Sequence, residues 1–521
     1  MNKSILKKIA YELNVELNGD TKAFLFAICS EYLKFQGIFN RDDWLKDFLE
    51  FGGKIQDEVW GILGTYTKEE FDNPECIGWL YQYFIAEEKA RVFENLKRNI
   101  KVEKEDIPYA TQLFTPDWIV KYLVENSLGR FLNFKDELEY YISCREEYMI
   151  ENKNLEEIKF IDPCQGTGHI LIYAFDLFYK AYITNGVSKN DAVYCILTKN
   201  LYGIDIDETA CLITKIVLTM KAASIDSEIF DKNVIEKMNI ICIKNSNKLD
   251  EDKYGEIVTI FKEADEFGSL LKMPKISLPK EDSKIKIFLK QYQILSQKYD
   301  VVCTNPPYMG KKNINGKLSN FLKKEYPETK SEMYAAFMER CLDLTEENGY
   351  LAMITIHSWM FISSFKTLRK RILESGTLLN MLHTGAATFD DLSSFNALAT
   401  SFVLKKEKID LETCFVRLTD YYNVEEKIDN FKNSKNYYYL KQARFFEIPN
   451  EPFIYWISEK LRNCFKDNQR LDDFYQAKQG LATGNNKEFV KFWYEVPYSE
   501  IGLNCKSTED FWKTRKSLCS F

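Results

Sequence analysis

Five short apolar stretches, with helical segments between them, constrain the fold of this 521-residue chain more than any other feature. Strands that alternate with helices form a parallel sheet covered by helices on both faces. We therefore predict an α/β fold with a doubly wound, Rossmann-like sheet. The predicted strands are Ile158–Asp162, Leu201–Asp205, Asn239–Ile243, Tyr299–Thr304 and Gly349–Thr355.

The length exceeds what one ordinary core accommodates, so we expect several domains. Residues 1–105 carry apolar clusters at helical spacing and are predicted to form an N-terminal helical domain. Residues 106–405 contain the predicted strands, together with a charged, helix-like insertion at about 255–298. Residues 406–521 lose this regular pattern and are predicted to connect to a further region.

The composition is that of a globular protein, with 45% hydrophobic and 28% charged residues. No apolar run is long enough to span a bilayer, and the N-terminus lacks a secretion signal, so we expect a cytoplasmic protein. The 13 cysteines form no C-x-x-C pair and only three histidines occur, which argues against structural zinc and disulfides. The net charge of −8 argues only weakly against DNA, because one local cleft can still bind it.

The first two strands each end in an aspartate, Asp162 and Asp205. Ligands of open parallel sheets bind beyond these carboxyl ends. Gly166 and Gly168 follow Asp162 and allow a sharp turn with close approach to a ligand. The third glycine of a dinucleotide motif is missing, and an acid before the turn favours a cationic ligand. S-adenosylmethionine fits that preference, with Asp205 accepting hydrogen bonds from its ribose hydroxyls.

Asn305-Pro306-Pro307-Tyr308 follows the fourth strand. The two prolines stop the strand and stiffen the turn, so the Asn305 amide and the Pro306 carbonyl are held in place. Both oxygens can accept hydrogens from an exocyclic amino group, which makes its nitrogen a better nucleophile. Tyr308 offers a ring on which a base turned out of a duplex can stack. The tetrapeptide therefore predicts methylation of an amino group, with no metal required.

These motifs together resemble the cofactor, ribose and catalytic motifs of amino-group DNA methyltransferases. They are Asp162-Pro163 with Gly166-Thr167-Gly168, Gly203-Ile204-Asp205, and Asn305-Pro306-Pro307-Tyr308. Thr115-Pro116-Asp117, a predicted helix start, resembles the helix of that family that supports the cofactor. Asn245 stands where the family often has an acid that contacts the cofactor adenine. The resemblance implies that Thr115, Pro116, Asp162, Pro163, Gly166, Gly168, Asp205 and Asn245 bind S-adenosylmethionine.

More narrowly, the chain resembles the PglX family, the adenine methyltransferases of BREX phage-exclusion systems. The resemblance lies in His169–Asp176, Asn305–Lys312, Ile356–Phe361 and Gly480–Asn486. It implies site-specific N6-adenine methylation of double-stranded DNA as a self mark in phage defence or restriction-modification. It also implies action together with other proteins of a phage-defence system.

Two departures from the family pattern stand out. Cys164-Gln165 replaces the usual Ala-Cys, which we expect to loosen the cofactor turn. Relatives continue into a long target-recognition region, whereas this sequence ends at Phe521, so we expect residues 406–521 to contain only the start of that region.

Three other functions stay open at this point. Asn-Pro-Pro-Tyr also occurs in methyltransferases that modify a glutamine of release factors, although these are compact. A methyltransferase fused to a nuclease would carry an acidic-lysine site near the N-terminus, which we do not find. The third is a truncated defence component that binds the cofactor without independent methylation activity. Phe389 and Phe395 are candidates for a second aromatic residue that stacks on the base, with core packing favoured for both.

Overall fold

In the computed structural model, a single sheet of nine strands forms the centre of the larger of two compact units. The structure describes residues 3–38, 41–66, 74–111, 114–134, 137–146, 148, 153–231, 234–389 and 397–467, and then only 469, 473–475, 490–495, 497 and 518–520. The sheet strands are β1 (Phe160–Asp162), β2 (Leu201–Asp205), β3 (Asn239–Cys242), β4 (Tyr299–Thr304), β5 (Thr345–Ile356), β6 (Thr377–Gly385), β7 (Ala399–Lys405), β8 (Glu412–Arg417) and β9 (Tyr437–Lys441).

The strand order is β3-β2-β1-β4-β5-β7-β6-β8-β9, and the five strands from β3 to β5 are parallel. The predicted α/β fold is confirmed, and β2 and β4 have the predicted bounds. The chain runs outwards from β1 to β3 on one side and from β4 to β5 on the other. The junction of β1 and β4 is therefore the topological switch point, where open sheets bind ligands.

The five predicted strands are parallel, but the sheet continues beyond β5 with strands that were not predicted and becomes mixed there. β7 runs antiparallel between β5 and β6, and β9 runs antiparallel to β8. The sheet also continues past residue 405 into β8 and β9, and the first compact unit extends to Ile457. The finer division of the chain at 105 and 405 remains a prediction.

Helices precede the sheet, connect its strands and cover both of its faces. Those before β1 are α1 (Lys3–Leu17), α2 (Thr21–Phe35), α3 (Asp42–Leu49), α4 (Asp57–Leu63), α5 (Glu75–Phe84), α6 (Ala86–Lys97), α7 (Ile107–Thr111) and α8 (Asp117–Phe131). Those between β1 and β4 are α9 (His169–Thr184), α10 (Lys189–Cys195), α11 (Glu208–Ala223), α12 (Val234–Lys237), α13 (Glu251–Tyr254), α14 (Glu256–Phe261), α15 (Ala264–Phe267) and α16 (Lys286–Ser296). The remainder of this unit has α17 (Gly316–Glu325), α18 (Met333–Leu344), α19 (Lys366–Ser375) and α20 (Val424–Phe431).

Alternation along the strands divides the core into two layers. Val301 and Cys303 of β4 pack with the side that includes α8, α9, α11 and the N-terminal helices. Val302 faces the other side, which includes α16 to α19. Burial on both faces explains why the centre of β4, Val301-Val302-Cys303, is apolar at successive positions rather than alternating. Among the described helices, none is both long and apolar enough to cross a membrane.

The second unit, Ser458–Phe521, contains α21 (Glu459–Asp467) and two short parallel strands, β10 (Val490–Phe492) and β11 (Leu518–Ser520), in its described part. Gly480–Asn486, which carried part of the resemblance, and Phe395 lie outside the described residues.

Candidate active site

A cleft opens at the carboxyl edge of the sheet and encloses about 950 Å³, with its open mouth included. Its walls come from the loops after β1, β2 and β4, from the segment around α15, and from α18. Of the residues predicted to form the site, it brings together Thr115, Asp162, Pro163, Gly166, Asp205, Asn305 and Pro307. Pro116, Gly168, Asn245, Pro306 and Tyr308 are not among its lining residues.

Asp162, at the end of β1, is the most deeply buried carboxylate of the cleft, with 1% of its surface exposed. Its Oδ1 accepts hydrogen bonds from Cys164 N (3.0 Å) and from Thr304 Oγ1 (2.6 Å). Burial raises the pKa of Asp162 to about 7, although these two donors oppose the shift. The site therefore holds a carboxyl group whose ionisation is costly until a cationic or hydrogen-donating ligand arrives.

The two glycines after Asp162 do different things. Gly166 has a φ of 51°, and no atom lies within 4 Å of the position its Cβ would occupy, so its backbone faces open space in the cleft. Gly168 has a φ of 87°, and a Cβ there would lie 2.7 Å from Thr214 Cγ2 of α11. Gly168 thus permits close packing at the start of α9, whereas Gly166 is the glycine that a ligand can approach.

Asp205, at the end of β2, joins the first two strand ends. Its Oδ2 accepts a hydrogen bond from Gly166 N (2.9 Å) and its Oδ1 accepts one from Asp207 N (2.9 Å). Burial and the nearby Asp207 carboxylate raise the pKa of Asp205 to about 6. Two carboxylates with raised pKa values in one cleft favour a ligand that carries positive charge and hydroxyl donors.

The amide of Asn305 is oriented by two neighbours. Its Nδ2 donates a hydrogen bond to Thr115 Oγ1 (3.0 Å), and its Oδ1 accepts one from Tyr308 OH (2.6 Å). Because the hydroxyl oxygen of Thr115 accepts from the amide nitrogen, the carbonyl oxygen is fixed on the opposite side. Thr115 was predicted as a helix cap and cofactor residue. The predicted cap position is wrong, because Pro116 occupies it without a side-chain bond. The Thr115 hydroxyl contacts Asn305, and its role in cofactor binding stays a prediction.

Tyr308 lies beside the cleft rather than in its wall. Its ring makes edge contacts with Tyr334 (6.3 Å between centroids) and with Phe389 (6.2 Å). Burial raises the pKa of its hydroxyl well above the ordinary value, so Tyr308 remains a neutral hydrogen-bond donor. Phe389 is buried in the core next to Tyr308, in line with core packing, the role favoured for it; whether it also stacks on a base stays untested.

Asn245 does not face the cleft, because its amide donates a hydrogen bond to Asp265. Asp265 also forms an ion pair with Lys104 (2.5 Å). The adjacent Glu266 lines the cleft, is only 5% exposed, and its Oε1 has no hydrogen-bond partner. A buried carboxylate oxygen without a partner is costly unless a ligand satisfies it.

Sequence reasoning did not identify Glu266 because it lies in the charged insertion rather than at a strand end. The segment that carries it is held in place by two hydrogen bonds at Ser269. Ser269 Oγ donates a hydrogen bond to Pro163 O (2.6 Å), and Arg340 Nε donates one to Ser269 O (2.9 Å). Only the fold brings this segment against the loop after β1.

The unusual Gln165 packs onto β2. A Cβ at Gly203 would lie 1.7 Å from Gln165 Oε1, so the amide occupies the space left by the absent side chain. The backbone N–H of Gln165 donates to Ile204 O (3.1 Å). The turn after Asp162 is therefore held to β2 at both the backbone and the side chain.

The sequence is similar to those of known methyltransferases. Residues 199–389, which include Asp205 and the Asn305–Tyr308 tetrapeptide, match the family model for the Eco57I restriction-modification methylase. The chain is 34% identical over 517 residues to the adenine-specific methyltransferase PglX of Lacticaseibacillus casei (strain Zhang), covering 87% of this chain and 43% of the relative. The chain is a sequence relative of PglX.

The chain covers a similar share of two further relatives. BrxX of Escherichia coli O9:H4 (strain HS), an adenine-specific methyltransferase, is 32% identical over 517 residues, with 84% of this chain and 42% of BrxX covered. The type II restriction enzyme and methyltransferase RM.Eco57I of Escherichia coli is 23% identical over 503 residues, with 88% and 45% covered. The chain thus spans less than half the length of PglX, BrxX and RM.Eco57I.

Replacing Asp162 by asparagine is expected to stabilise the protein at pH 8. The raised pKa means that the folded state holds a proton which the unfolded state releases, so this group lowers stability as the pH rises from about 4 to about 7. Asp162→Asn removes that cost while its amide oxygen still accepts from Cys164 and Thr304. Scanning calorimetry should show a midpoint a few degrees higher at pH 8, with the difference shrinking towards pH 4. A lower midpoint at pH 8 would contradict the burial argument.

Proposed function

We propose that this chain transfers a methyl group from S-adenosylmethionine to N6 of adenine in double-stranded DNA. The observation that carries the proposal is the position of the Asn305 amide, fixed by Thr115, in the wall of a cleft that contains Asp162 and Asp205. The names of PglX and BrxX, both adenine-specific methyltransferases, support the choice of adenine. By the same likeness, we propose a role in phage defence or restriction-modification, together with other defence proteins.

The cleft residues suit S-adenosylmethionine group by group. Asp205 has both carboxylate oxygens at the strand end and would accept hydrogen bonds from the ribose hydroxyls. Asp162 would favour the positively charged methionine end, and Gly166 leaves room for the backbone to approach it. Glu266 Oε1, which has no protein partner, would accept a hydrogen bond from the adenine amino group. The cofactor supplies an electrophilic methyl group on a sulfonium.

The catalytic residues act on the amino group of the target base. Asn305 Oδ1 and Pro306 O would accept its two hydrogens, which returns lone-pair density to the nitrogen. A carbonyl oxygen has two lone pairs, so Asn305 can accept from the base as well as from Tyr308. With the bound cofactor supplying the methyl group and its sulfur keeping the bonding electrons, the amino nitrogen would gain the methyl group and release one proton to solvent. Thr115 acts as a positioning residue, because it prevents the amide from turning its N–H groups towards the base.

The purified chain is expected to methylate unmethylated plasmid DNA, and Asn305→Ala is expected to lower the rate by at least about 100-fold. The loss should lie in transfer and not in cofactor binding, because Asn305 acts on the base. The measurement is N6-methyladenine in digested DNA by mass spectrometry, with the cofactor Kd determined by calorimetry. Thr115→Ser keeps the hydroxyl and should retain activity, whereas Thr115→Val should lose about tenfold.

The alternative functions give different results in the same assay. Methylation found only on an added release factor, and not on the DNA, would contradict the DNA substrate. Cofactor binding without any N6-methyladenine would favour a component that binds the cofactor but does not methylate.

Glu266→Gln is expected to raise the Kd for S-adenosylmethionine by about tenfold. The glutamine amide lacks the negative charge of the carboxylate, and it presents N–H donors on one side, where the carboxylate presents only acceptors. Asn245→Ala is the matched control, since that side chain faces Asp265 and not the cleft. Calorimetry on both variants separates the two residues. A larger rise in the Kd for Asn245→Ala than for Glu266→Gln would show that Asn245, and not Glu266, contacts the cofactor.

A further inference from the structure

Helix α5 of the N-terminal helical region lies directly on the loop after β1. A methyl group at Gly78 would lie 2.9 Å from Thr167 Oγ1 and 3.1 Å from His169 Cε1. Both distances are shorter than ordinary contacts between non-bonded atoms. The backbone of α5 therefore approaches the loop as closely as a glycine permits, and both Thr167 and His169 line the cleft.

The next residue, Trp79, supports the aromatic part of the cleft wall. Its ring makes an edge contact with His169 (5.3 Å between centroids) and a tilted contact with Phe114 (5.5 Å). Phe114 and His169 are themselves in edge contact at 5.3 Å, and both line the cleft. Trp79 is 9% exposed, so its ring fills the space behind them and limits their movement.

A third residue of α5 reaches the end of β2. Tyr81 OH donates a hydrogen bond to Asp207 Oδ2 (3.4 Å), and Asp207 N donates to Asp205 Oδ1 (2.9 Å). Burial raises the pKa of Tyr81 well above its ordinary value, so the hydroxyl keeps its proton. Asp207 also caps α11, so this contact reaches the start of the helix that follows β2.

We infer that α5 positions both cofactor loops, so that the N-terminal helical region sets the affinity for S-adenosylmethionine. One helix contacts the loop that carries Gly166 and the turn that carries Asp205, and these two loops are joined by the bond from Gly166 N to Asp205. Binding is tighter when such loops are already held in the bound geometry, because less conformational freedom is lost. Gly78, Trp79 and Tyr81 are positioning residues, since they act through Thr167, His169 and Asp207. The inference rests on the proposed cofactor.

A pair of glycine substitutions tests the inference on the full chain. Gly78→Ala is compared with Gly61→Ala, which lies within α4 of the same region and has no atom within 4 Å of its Cβ position. Alanine is the better helix former at both positions, so a purely local effect would stabilise both variants. Calorimetric titration with S-adenosylmethionine measures the Kd, and scanning calorimetry checks folding.

We expect Gly78→Ala to fold and to raise the Kd by about tenfold, while Gly61→Ala stays within about twofold of the wild type. An unchanged Kd in folded Gly78→Ala, with the wild type binding normally, overturns the inference and leaves the proposed function intact. Absence of binding by the wild type would overturn the proposed cofactor itself.

Trp79→Phe tests the inference if Gly78→Ala does not fold. The phenylalanine keeps a ring in the core but leaves a gap behind His169 and Phe114. A Kd raised by about threefold or more, with the transfer rate at saturating cofactor unchanged, supports the inference. A Kd equal to that of the wild type overturns it.

Discussion

The hydrogen bond from Thr304 Oγ1 to Asp162 Oδ1, 2.6 Å long, joins the carboxyl ends of β1 and β4 at the switch point of the sheet. The two strands are 142 residues apart in sequence at this bond, and parallel pairing is what brings them together. Asp162 on one side faces the predicted cofactor, and Asn305, the residue after Thr304, faces the predicted base. The distance between the proposed cofactor and base sites is therefore fixed by the backbone register of the central strands.

Holding two carboxylates in this position lowers stability. The pKa values of Asp162 and Asp205 are raised to about 7 and about 6, which means that the folded protein without a ligand disfavours their charged forms. Glu266 adds a buried oxygen with no protein partner. A ligand with a cationic group, hydroxyl groups and an amino donor would satisfy all three. The same burial that destabilises the site without a ligand would thus provide affinity and selectivity for such a ligand.

The features that follow from local chemistry were predictable from the sequence. β2 and β4 have the predicted bounds because each is mostly apolar and ends in a polar residue. Asp162, Asp205 and Asn305 lie at one edge because parallel strands end there. β7 was not predicted, since its antiparallel position between β5 and β6 depends on pairing across distant segments. Glu266 and Gly78 were not recognised either. The first lies on a four-residue helix in an insertion and the second in an N-terminal helix, and only tertiary packing brings them to the cleft.

The central claim is that one edge of the sheet holds the cofactor and presents it to Asn305. A crystal structure of the full chain with S-adenosylhomocysteine tests this most directly. We predict that the ribose hydroxyls bond to Asp205, that the adenine amino group bonds to Glu266, and that the sulfur points towards Asn305. A ligand bound elsewhere, or with its sulfur directed away from Asn305, would contradict the account.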